Sequence, residues 1–194
     1  GRSLGQFTGL EPRCLPYELG GSVSRAMIRL YAKSSQNGTI HGWGGARAQM
    51  TGFVKPLLSA GCRVVAYDQP AHGESDGKMT NVLEIAPTMG LIRGKEGDFD
   101  AIIAHSFGTL ITSYALTHLN FPPPSRLVYF GAFNRLLDSL TRFQVLANLP
   151  DEIIDGLKKM IYENFGEGVL DDINNETMIP QIKIPALMFH DVTD

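Results

Sequence analysis

The sequence lacks the features of a membrane protein or a nucleic-acid-binding protein. No apolar run approaches the roughly 20 residues that a membrane-spanning helix needs, and no cluster of lysine and arginine is present. The formal net charge is -3, whereas nucleic acid or an anionic membrane calls for a basic patch. The N-terminal residues show no basic segment followed by an apolar stretch. We therefore expect a cytoplasmic protein with neither a nucleic-acid nor a membrane partner.

Cysteine is also scarce, with Cys14 and Cys62 the two in 194 residues. Their positions do not have metal-ligand spacing, and a disulfide framework is not expected in a chain of this size with so few cysteines. We predict free thiols, with Cys62 in the core because it opens an apolar strand. The composition, 43% hydrophobic and 19% charged, favours one globular domain over 1–194 with a sizeable core.

The apolar segments alternate between strand and helix patterns. Continuous apolar runs of strand length predict buried strands at 61–68, 101–104 and 126–132. Segments with helical spacing separate these strands, at 47–60, 78–94 and 107–118. Such alternation favours an α/β fold with a mainly parallel sheet.

The pattern is weaker before the first of these strands. Residues 1–33 predict antiparallel edge strands, and the polar segment 34–38 predicts a turn. Between that turn and His41, only Thr39 and Ile40 remain to form a strand.

A serine lies at the junction between a predicted strand and a predicted helix. The strand 101–104 runs into a helix that begins at Phe107, with Ser106 at the turn. So abrupt a turn needs small neighbours, and Ala104 and Gly108 provide them. These residues alone leave two interpretations of the serine: a helix N-cap, where serine is favoured, or a nucleophile presented on a sharp turn.

The segment A-H-S-F-G at 104–108 resembles the nucleophile elbow of the α/β-hydrolase fold family, with alanine in place of the first glycine of G-x-S-x-G. The resemblance covers about 41–194, in four motifs in the family's order. It implies a single α/β-hydrolase domain over 1–194, with a mainly parallel sheet and helices on both faces. It also implies that Ser106 is the catalytic nucleophile.

The segment H-G-W-G-G at 41–45 resembles the family's oxyanion-hole loop. Glycines in such a loop let the backbone approach a substrate carbonyl closely. The resemblance implies that the backbone N–H groups of Trp43 and Phe107 stabilise the oxyanion. Without Ser106 downstream, a flexible turn would be the better interpretation of 42–45. The family usually has a longer apolar strand before this His-Gly, so we expect that residues have been lost between Gly38 and His41, in preference to a strand as short as Thr39 and Ile40.

The segment D-Q-P-A-H-G-E-S at 68–75 resembles the family's D-x-P-G-x-G-x-S turn, with changes at Ala71 and His72. We interpret Asp68, His72 and Ser75 as structural residues that make local hydrogen bonds in the turn. His72 as a catalytic base is the alternative, since a histidine can exchange a proton near neutral pH.

Residues 133–180 break the alternation of strand and helix. Their apolar residues recur at helical spacing, with Pro150 and Asp151 as a helix start signal. The family commonly inserts a helical lid at this point, so we predict a lid over the carboxyl ends of the strands. Ordinary packing helices are the alternative. A lid of this apolar content favours an acyl or small hydrophobic substrate.

The last segment, P-A-L-M-F-H-D-V-T-D at 185–194, predicts a strand followed by a polar turn. It resembles the family's P-x-L-x-x-H-G-x-x-D. The resemblance implies that Asp194 is the acid that orients the catalytic histidine and stabilises its imidazolium form. Asp191 is the fallback, although a role in the turn suits it better.

The family's catalytic histidine follows the acid along the chain, and the sequence contains none after Asp194. His41, His105 and His190 occupy motif positions that are structural in the family, and we expect His118 at a helix end in solvent. We therefore expect that the family's last strand, its histidine and its final helix, roughly 60 residues in a domain of ordinary size, are missing from this sequence. The alternatives are a chain that has lost its base and a second chain that completes the site.

The resemblance as a whole implies a serine hydrolase that cleaves a small or medium apolar carboxylic ester or thioester through an acyl-enzyme, without metal or organic cofactor. Ser106 argues against haloalkane dehalogenase or epoxide hydrolase chemistry, which uses a carboxylate nucleophile in this fold. Carbon-carbon bond hydrolases and cofactor-free haloperoxidases share the serine machinery and remain open. The alternative from another class is a non-catalytic protein that binds a small apolar ligand.

Overall fold

The computed structural model describes residues 17–19, 22–24, 27–30 and 35–191. Its strands are β1 (Tyr17–Leu19), β2 (Ser22–Ser24), β3 (Met27–Leu30), β4 (Gln36–Ile40), β5 (Arg63–Tyr67), β6 (Ala101–His105), β7 (Arg126–Phe130) and β8 (Ala186–Phe189). Its α-helices are α1 (Thr51–Ser59), α2 (Val82–Glu96), α3 (Phe107–His118), α4 (Leu136–Ala147), α5 (Asp151–Phe165), α6 (Val169–Asp172) and α7 (Asn175–Met178). Short 3-10 helices at Arg47–Met50 and Ile179–Gln181 adjoin α1 and α7.

Six strands form one sheet in the order β3-β5-β4-β6-β7-β8. β3 pairs antiparallel with β5 at one edge, and the other four pairings are parallel. β1 and β2 form a separate antiparallel pair. This arrangement confirms the predicted α/β class, with a mainly parallel sheet and antiparallel strands near the start of the chain.

The core lies around the central strands and the helix that follows β6. Ile102 and Ala104 of β6 and Val65 of β5 are fully buried, as expected where a parallel sheet is covered on both faces. Leu110 and Ile111 of α3 are fully buried as well. Since burial of each such side chain contributes about 1.5–3 kcal/mol, α3 is held firmly against the sheet.

The predicted turn at 34–38 is wrong for residues 36–38, which belong to β4, a buried strand of five residues. Its first residue, Gln36, is polar, and the hydrogen-bond partners of Gln36 lie on other segments. Gln36 receives the Arg63 guanidinium at its side-chain oxygen, and its Nε2 donates to Gly97 O at 2.9 Å. The Gln36 backbone N–H donates to the Asp100 carboxylate at 2.7 Å. β4 therefore has ordinary length, and the reason for expecting lost residues disappears.

Cys62 is a free thiol, as predicted, but it is only partly buried and precedes β5 instead of opening it. Its sulfur accepts a hydrogen bond from the Ser35 hydroxyl at 3.1 Å. Cys14 lies outside the described residues.

Segment 133–180 folds as α4 to α7 with the second 3-10 helix, between β7 and β8. Its underside packs against the core through partly buried residues such as Leu136, Leu140 and Ile161. Other apolar side chains of the segment, including Phe143 and Leu146, are exposed. Within the described ranges, no helix has the length and apolar character required to cross a membrane.

Gly108, on the first turn of α3, provides a test of the packing between α3 and β4. A Cβ built at Gly108 would lie 2.7 Å from the carbonyl oxygen of Ile40 and 2.8 Å from that of His41. We expect Gly108→Ala to lower the free energy of unfolding by about 1–3 kcal/mol, because rigid backbone must shift. The midpoint of urea unfolding measures this loss.

Gly90→Ala is the matched control, because Gly90 also lies within a helix and a Cβ there would meet nothing within 4 Å. That variant should be more stable by about 0.5–1 kcal/mol, since alanine restricts the unfolded chain. Equal stability of the two variants would contradict the packing argument.

Candidate active site

Ser106 connects β6 to α3 with a backbone conformation that L-residues seldom adopt, φ 50° and ψ -122°. Such strain costs about 1–3 kcal/mol and is concentrated at functional sites. The Ser106 N–H donates to Phe130 O at 2.9 Å. Although the residue occupies the N-cap position of α3, its side chain makes no capping hydrogen bond. The hydroxyl is thus not used as a cap, which disfavours the N-cap interpretation.

The glycine-rich loop after β4 passes directly over this turn. A Cβ at Gly42 would lie 3.1 Å from Ser106 Cβ. Residues 42–45 form a β-turn, in which the Gly45 N–H donates to Gly42 O at 3.1 Å. Its third residue, Gly44, has φ 65°, a backbone conformation that favours glycine at this position of the turn. The turn brings Trp43 against Phe107, with ring centroids 5.0 Å apart. The structure therefore brings the side chains of Trp43 and Phe107, the two residues predicted to supply the oxyanion donors, into contact beside Ser106.

His41, the first residue of that loop, is fully buried and holds the loop in place through its ring nitrogens. Its Nε2 accepts a hydrogen bond from the Gln69 backbone N–H at 3.0 Å, so the ring proton is on Nδ1, which donates to Gly42 O at 2.8 Å. The Gln69 side chain donates in turn to His41 O at 2.7 Å. Burial lowers the pKa of His41 below 6.5. Both ring nitrogens are occupied, so His41 is a structural residue and not a base.

The turn after β5 is organised by Asp68, as the sequence predicts. Its buried carboxylate accepts hydrogen bonds from the backbone N–H groups of Arg47, at 2.7 Å, and Glu74, at 3.0 Å, and it also pairs with the Arg47 guanidinium. The Ser75 hydroxyl donates to Asp68 O at 2.8 Å. The turn is thereby held against the 3-10 helix that follows the glycine-rich loop.

His72 occupies this turn as a local hydrogen-bonding residue. Its Nδ1 lies 2.9 Å from Pro70 O, and its ring contacts the rings of Trp43 and His41, with centroids 5.2 Å and 5.4 Å away. The side chain is largely buried. These contacts support the structural interpretation of His72 over the catalytic one, and they place His72 as the packing partner of Trp43.

A cavity of about 540 Å³ opens at Ser106. Its wall combines the loop after β7, one face of α4 and one residue after β8: Gly131, Ala132, Phe133, Asn134, Arg135, Asp138, Ser139, Arg142, Phe143, Leu146 and His190. Segment 133–180 thus contributes most of the surface facing the serine. The side chains are mixed, with aromatic and aliphatic groups beside two arginines and an aspartate.

The carboxyl ends of β6, β7 and β8 meet at this cavity. Their register aligns His105 with Phe130 and Phe130 with Phe189. This places His190 and Asp191, which follow β8, at the same edge of the sheet as Ser106. Asp194, the predicted catalytic acid, lies outside the described residues.

The remaining histidines differ in their relation to Ser106. His118 is exposed at the far end of α3, stacked on Tyr114 with centroids 4.5 Å apart, about 18 Å along the helix from the serine. His105 is exposed beside the turn. His190 lines the cavity, with Nε2 3.3 Å from Ala132 O. The motif around His190 predicts a structural role for this residue and carries no signal that it lines the same cavity as Ser106.

No metal centre emerges from the described part of the chain, where no three His, Cys, Asp or Glu side chains are grouped so that they could hold an ion. The N-terminal end of α3, which follows Ser106 directly, is a fixed source of partial positive charge beside the serine. The first N–H groups of a helix have no intrahelical acceptor and attract negative charge. The site can therefore stabilise an anion that forms next to the serine oxygen.

A strained serine between a parallel strand and a helix, below a glycine-rich loop, defines an α/β-hydrolase type of fold. Residues 39–183 match the model of the family described as "Alpha/beta hydrolase family". The chain belongs to the alpha/beta hydrolase family. A search of curated protein sequences finds no match.

Solved structures show the same fold at low sequence identity. An esterase from Pyrococcus furiosus is 18% identical, with a TM-score of 0.64, over 97% of this chain and 72% of that protein. An esterase from Exiguobacterium antarcticum is 14% identical, with a TM-score of 0.62, over 87% and 76%. Epoxide hydrolase A from Mycobacterium thermoresistibile is 20% identical, with a TM-score of 0.55, over 70% of this chain, which spans 45% of that protein. At these identities the likeness concerns the fold.

The buried neutral His41 predicts a pH dependence of stability. Because its folded pKa lies below 6.5, the unfolded chain takes up a proton first as the pH falls. Its contribution to stability is therefore complete above about pH 6.5 and declines below it, by up to about 1.4 kcal/mol per pH unit. We expect the stability gap between the wild type and His41→Gln to narrow from pH 8 to pH 5. A difference in the free energy of unfolding that stays constant from pH 8 to pH 5, measured by urea unfolding of the two proteins, would contradict the assignment.

Proposed function

We propose that the chain acts as a serine hydrolase that cleaves a small or medium apolar carboxylic ester or thioester. The observation that carries the proposal is Ser106: its backbone is strained, its hydroxyl is not a helix cap, and it opens onto a cavity of about 540 Å³. Similarity in fold to two esterases supports the reaction class. The epoxide hydrolase reaction in this fold uses an aspartate carboxylate as the nucleophile. The serine at position 106 therefore disfavours that reaction.

In the proposed reaction, Ser106 Oγ attacks the carbonyl carbon and its proton passes to a base. The carbonyl oxygen becomes an oxyanion, which the backbone N–H groups of Trp43 and Phe107 stabilise. The intermediate collapses with loss of an alcohol or thiol, which takes up the proton. Water then attacks the acyl-serine by the same route and releases the carboxylic acid. The base that the family resemblance implies is a histidine oriented by Asp194, and none of the five histidines in this sequence follows Asp194.

The second candidate is a non-catalytic protein that binds a small apolar ligand in the same cavity. The observation in its favour is the engagement of His41 and His72 in structural contacts. The fold and the cavity would be retained in either case. The two candidates differ in the reactivity of Ser106, which can be measured directly.

Labelling with a fluorophosphonate separates the two functions. We expect intact-mass spectrometry to show one adduct, absent in Ser106→Ala, and ester turnover in that variant to fall by at least about a thousandfold. Ser125→Ala is the control, because Ser125 is an exposed serine in the loop before β7. A wild-type protein that takes up no adduct would contradict the hydrolase and favour ligand binding.

The cavity wall predicts a limit on acyl-chain length. Leu146 lines the cavity, and its neighbour Val145, also exposed, does not belong to the described wall. We expect Leu146→Trp to lower kcat/KM for p-nitrophenyl octanoate relative to the butyrate by about tenfold, because the indole fills space that a longer chain needs. Val145→Trp, the same enlargement one residue away, should leave this ratio unchanged. An equal shift in both variants would contradict the assignment of the acyl site.

A further inference from the structure

The peptide unit between Ser106 and Phe107 is fixed from its carbonyl side. Ser106 O accepts one hydrogen bond from the Thr109 backbone N–H at 2.9 Å and another from the Thr109 hydroxyl at 2.7 Å. A trans peptide is planar, with its C=O and N–H on opposite sides. Holding the oxygen of Ser106 therefore also sets the direction of the Phe107 N–H.

The Thr109 hydroxyl is held in one orientation. A hydroxyl has one donor and two acceptor positions. Here the donor goes to Ser106 O, and the acceptor positions receive the Phe133 N–H at 3.0 Å and Asn175 Nδ2 at 3.3 Å. Thr109 is fully buried and Asn175 is 3% exposed. Rotation of the hydroxyl would break hydrogen bonds that water cannot replace.

Those two acceptor contacts come from the two ends of segment 133–180. Phe133 begins the segment after β7, and Asn175 begins α7 near its end. The ends are clamped together, because Asn175 Nδ2 donates to Phe133 O at 2.6 Å and the Asn175 N–H donates to Asn134 O at 2.8 Å. Arg135 and Asn174 add a β-bridge. We call these contacts between 133–135 and 174–175 the clamp. The Thr109 hydroxyl therefore bonds both to the clamp and to the turn at Ser106.

We propose that Thr109 is a positioning residue that aims the Phe107 N–H at the substrate oxyanion, and that Asn175 links this peptide to the base of segment 133–180. The inference rests on the proposed hydrolase function for its catalytic consequence. Thr109 touches no reacting atom. Its effect on catalysis comes through the peptide that it holds.

Thr112 offers a matched control for a merely structural role. It lies one turn further along α3, is fully buried, and donates its hydroxyl to Gly108 O at 2.8 Å. Thr109→Val and Thr112→Val are therefore the same substitution, at equal burial in the same helix. The first removes the hydroxyl that holds Ser106 O, and the second removes an intrahelical bond. Thr109→Ser keeps the hydroxyl and loses a methyl group.

The test measures turnover of p-nitrophenyl butyrate and the rate of Ser106 phosphonylation in each variant. In Thr109→Val we expect kcat to fall between about tenfold and a hundredfold, the effect of a small misplacement at a reacting centre, with KM nearly unchanged. Phosphonylation should slow in proportion. Thr109→Ser and Thr112→Val should retain kcat within about threefold, since neither disturbs the donor.

The role of Asn175 is tested in the same assay with a double variant. Asn175→Ala should lower kcat less than Thr109→Val, and the double variant should be no slower than Thr109→Val alone, because both changes act through one hydroxyl. Full kcat in Thr109→Val would overturn the proposal. An equal loss in Thr112→Val would overturn it too, as would strictly additive losses in the double variant.

The positioning of the peptide can also be measured without turnover. If the wild type shows no Ser106-dependent hydrolysis or labelling, the proposed function fails, and the amide ¹⁵N resonance of Phe107 then decides the structural part. A larger displacement of this resonance in Thr109→Val than in Thr112→Val supports the inference. Equal displacements overturn it.

Discussion

The left-handed backbone of Ser106 is the constraint on which the rest of the site depends. Because that conformation is unfavourable by about 1–3 kcal/mol, it persists only where neighbouring groups hold it. Phe130 accepts its N–H, Thr109 holds its carbonyl, and Gly108 lets α3 lie against the backbone of β4. The stability of the sheet and of α3 is thus used to keep one serine in a conformation that the isolated chain would avoid.

The sequence predicts those parts of the fold whose residue types follow from local geometry. β5, β6 and β7 are recognisable because strands covered on both faces become continuous apolar runs, and α3 is recognisable because its apolar residues change to helical spacing. β4 is not recognisable from the sequence, because it begins with two polar residues, Gln36 and Asn37, that are nevertheless buried. Gln36 is paired with Arg63, Gly97 and Asp100, partners that are distant along the chain, so a window of neighbouring residues carries no sign of a strand.

The candidate site likewise has parts that the sequence predicts and parts that it does not. Ser106, Trp43 and Phe107 belong to short motifs, and the folded chain brings them together as the motifs imply. The hydrogen bond between Thr109 and Asn175 joins residues 66 positions apart, so no short sequence motif predicts it. The wall that α4 contributes is equally invisible, because helical spacing alone does not say which side of a helix faces a cavity. The sequence therefore predicts which short motifs meet in the folded chain, but it does not predict the residues that surround and support them.

The polar beginning of β4 also bears on how accurately the sheet assembles. In most sheets a strand finds its register because a slip of one residue would expose its apolar side chains. For β4, between β5 and β6, such a slip would instead move the buried side chain of Gln36 away from Arg63 and Gly97, and its amide would lose both hydrogen-bond partners. A buried polar group without a hydrogen-bond partner is unfavourable by about 1–3 kcal/mol. The strand that delivers the glycine-rich loop to Ser106 is therefore aligned by the penalty for mispairing, and the alignment fixes where that loop begins.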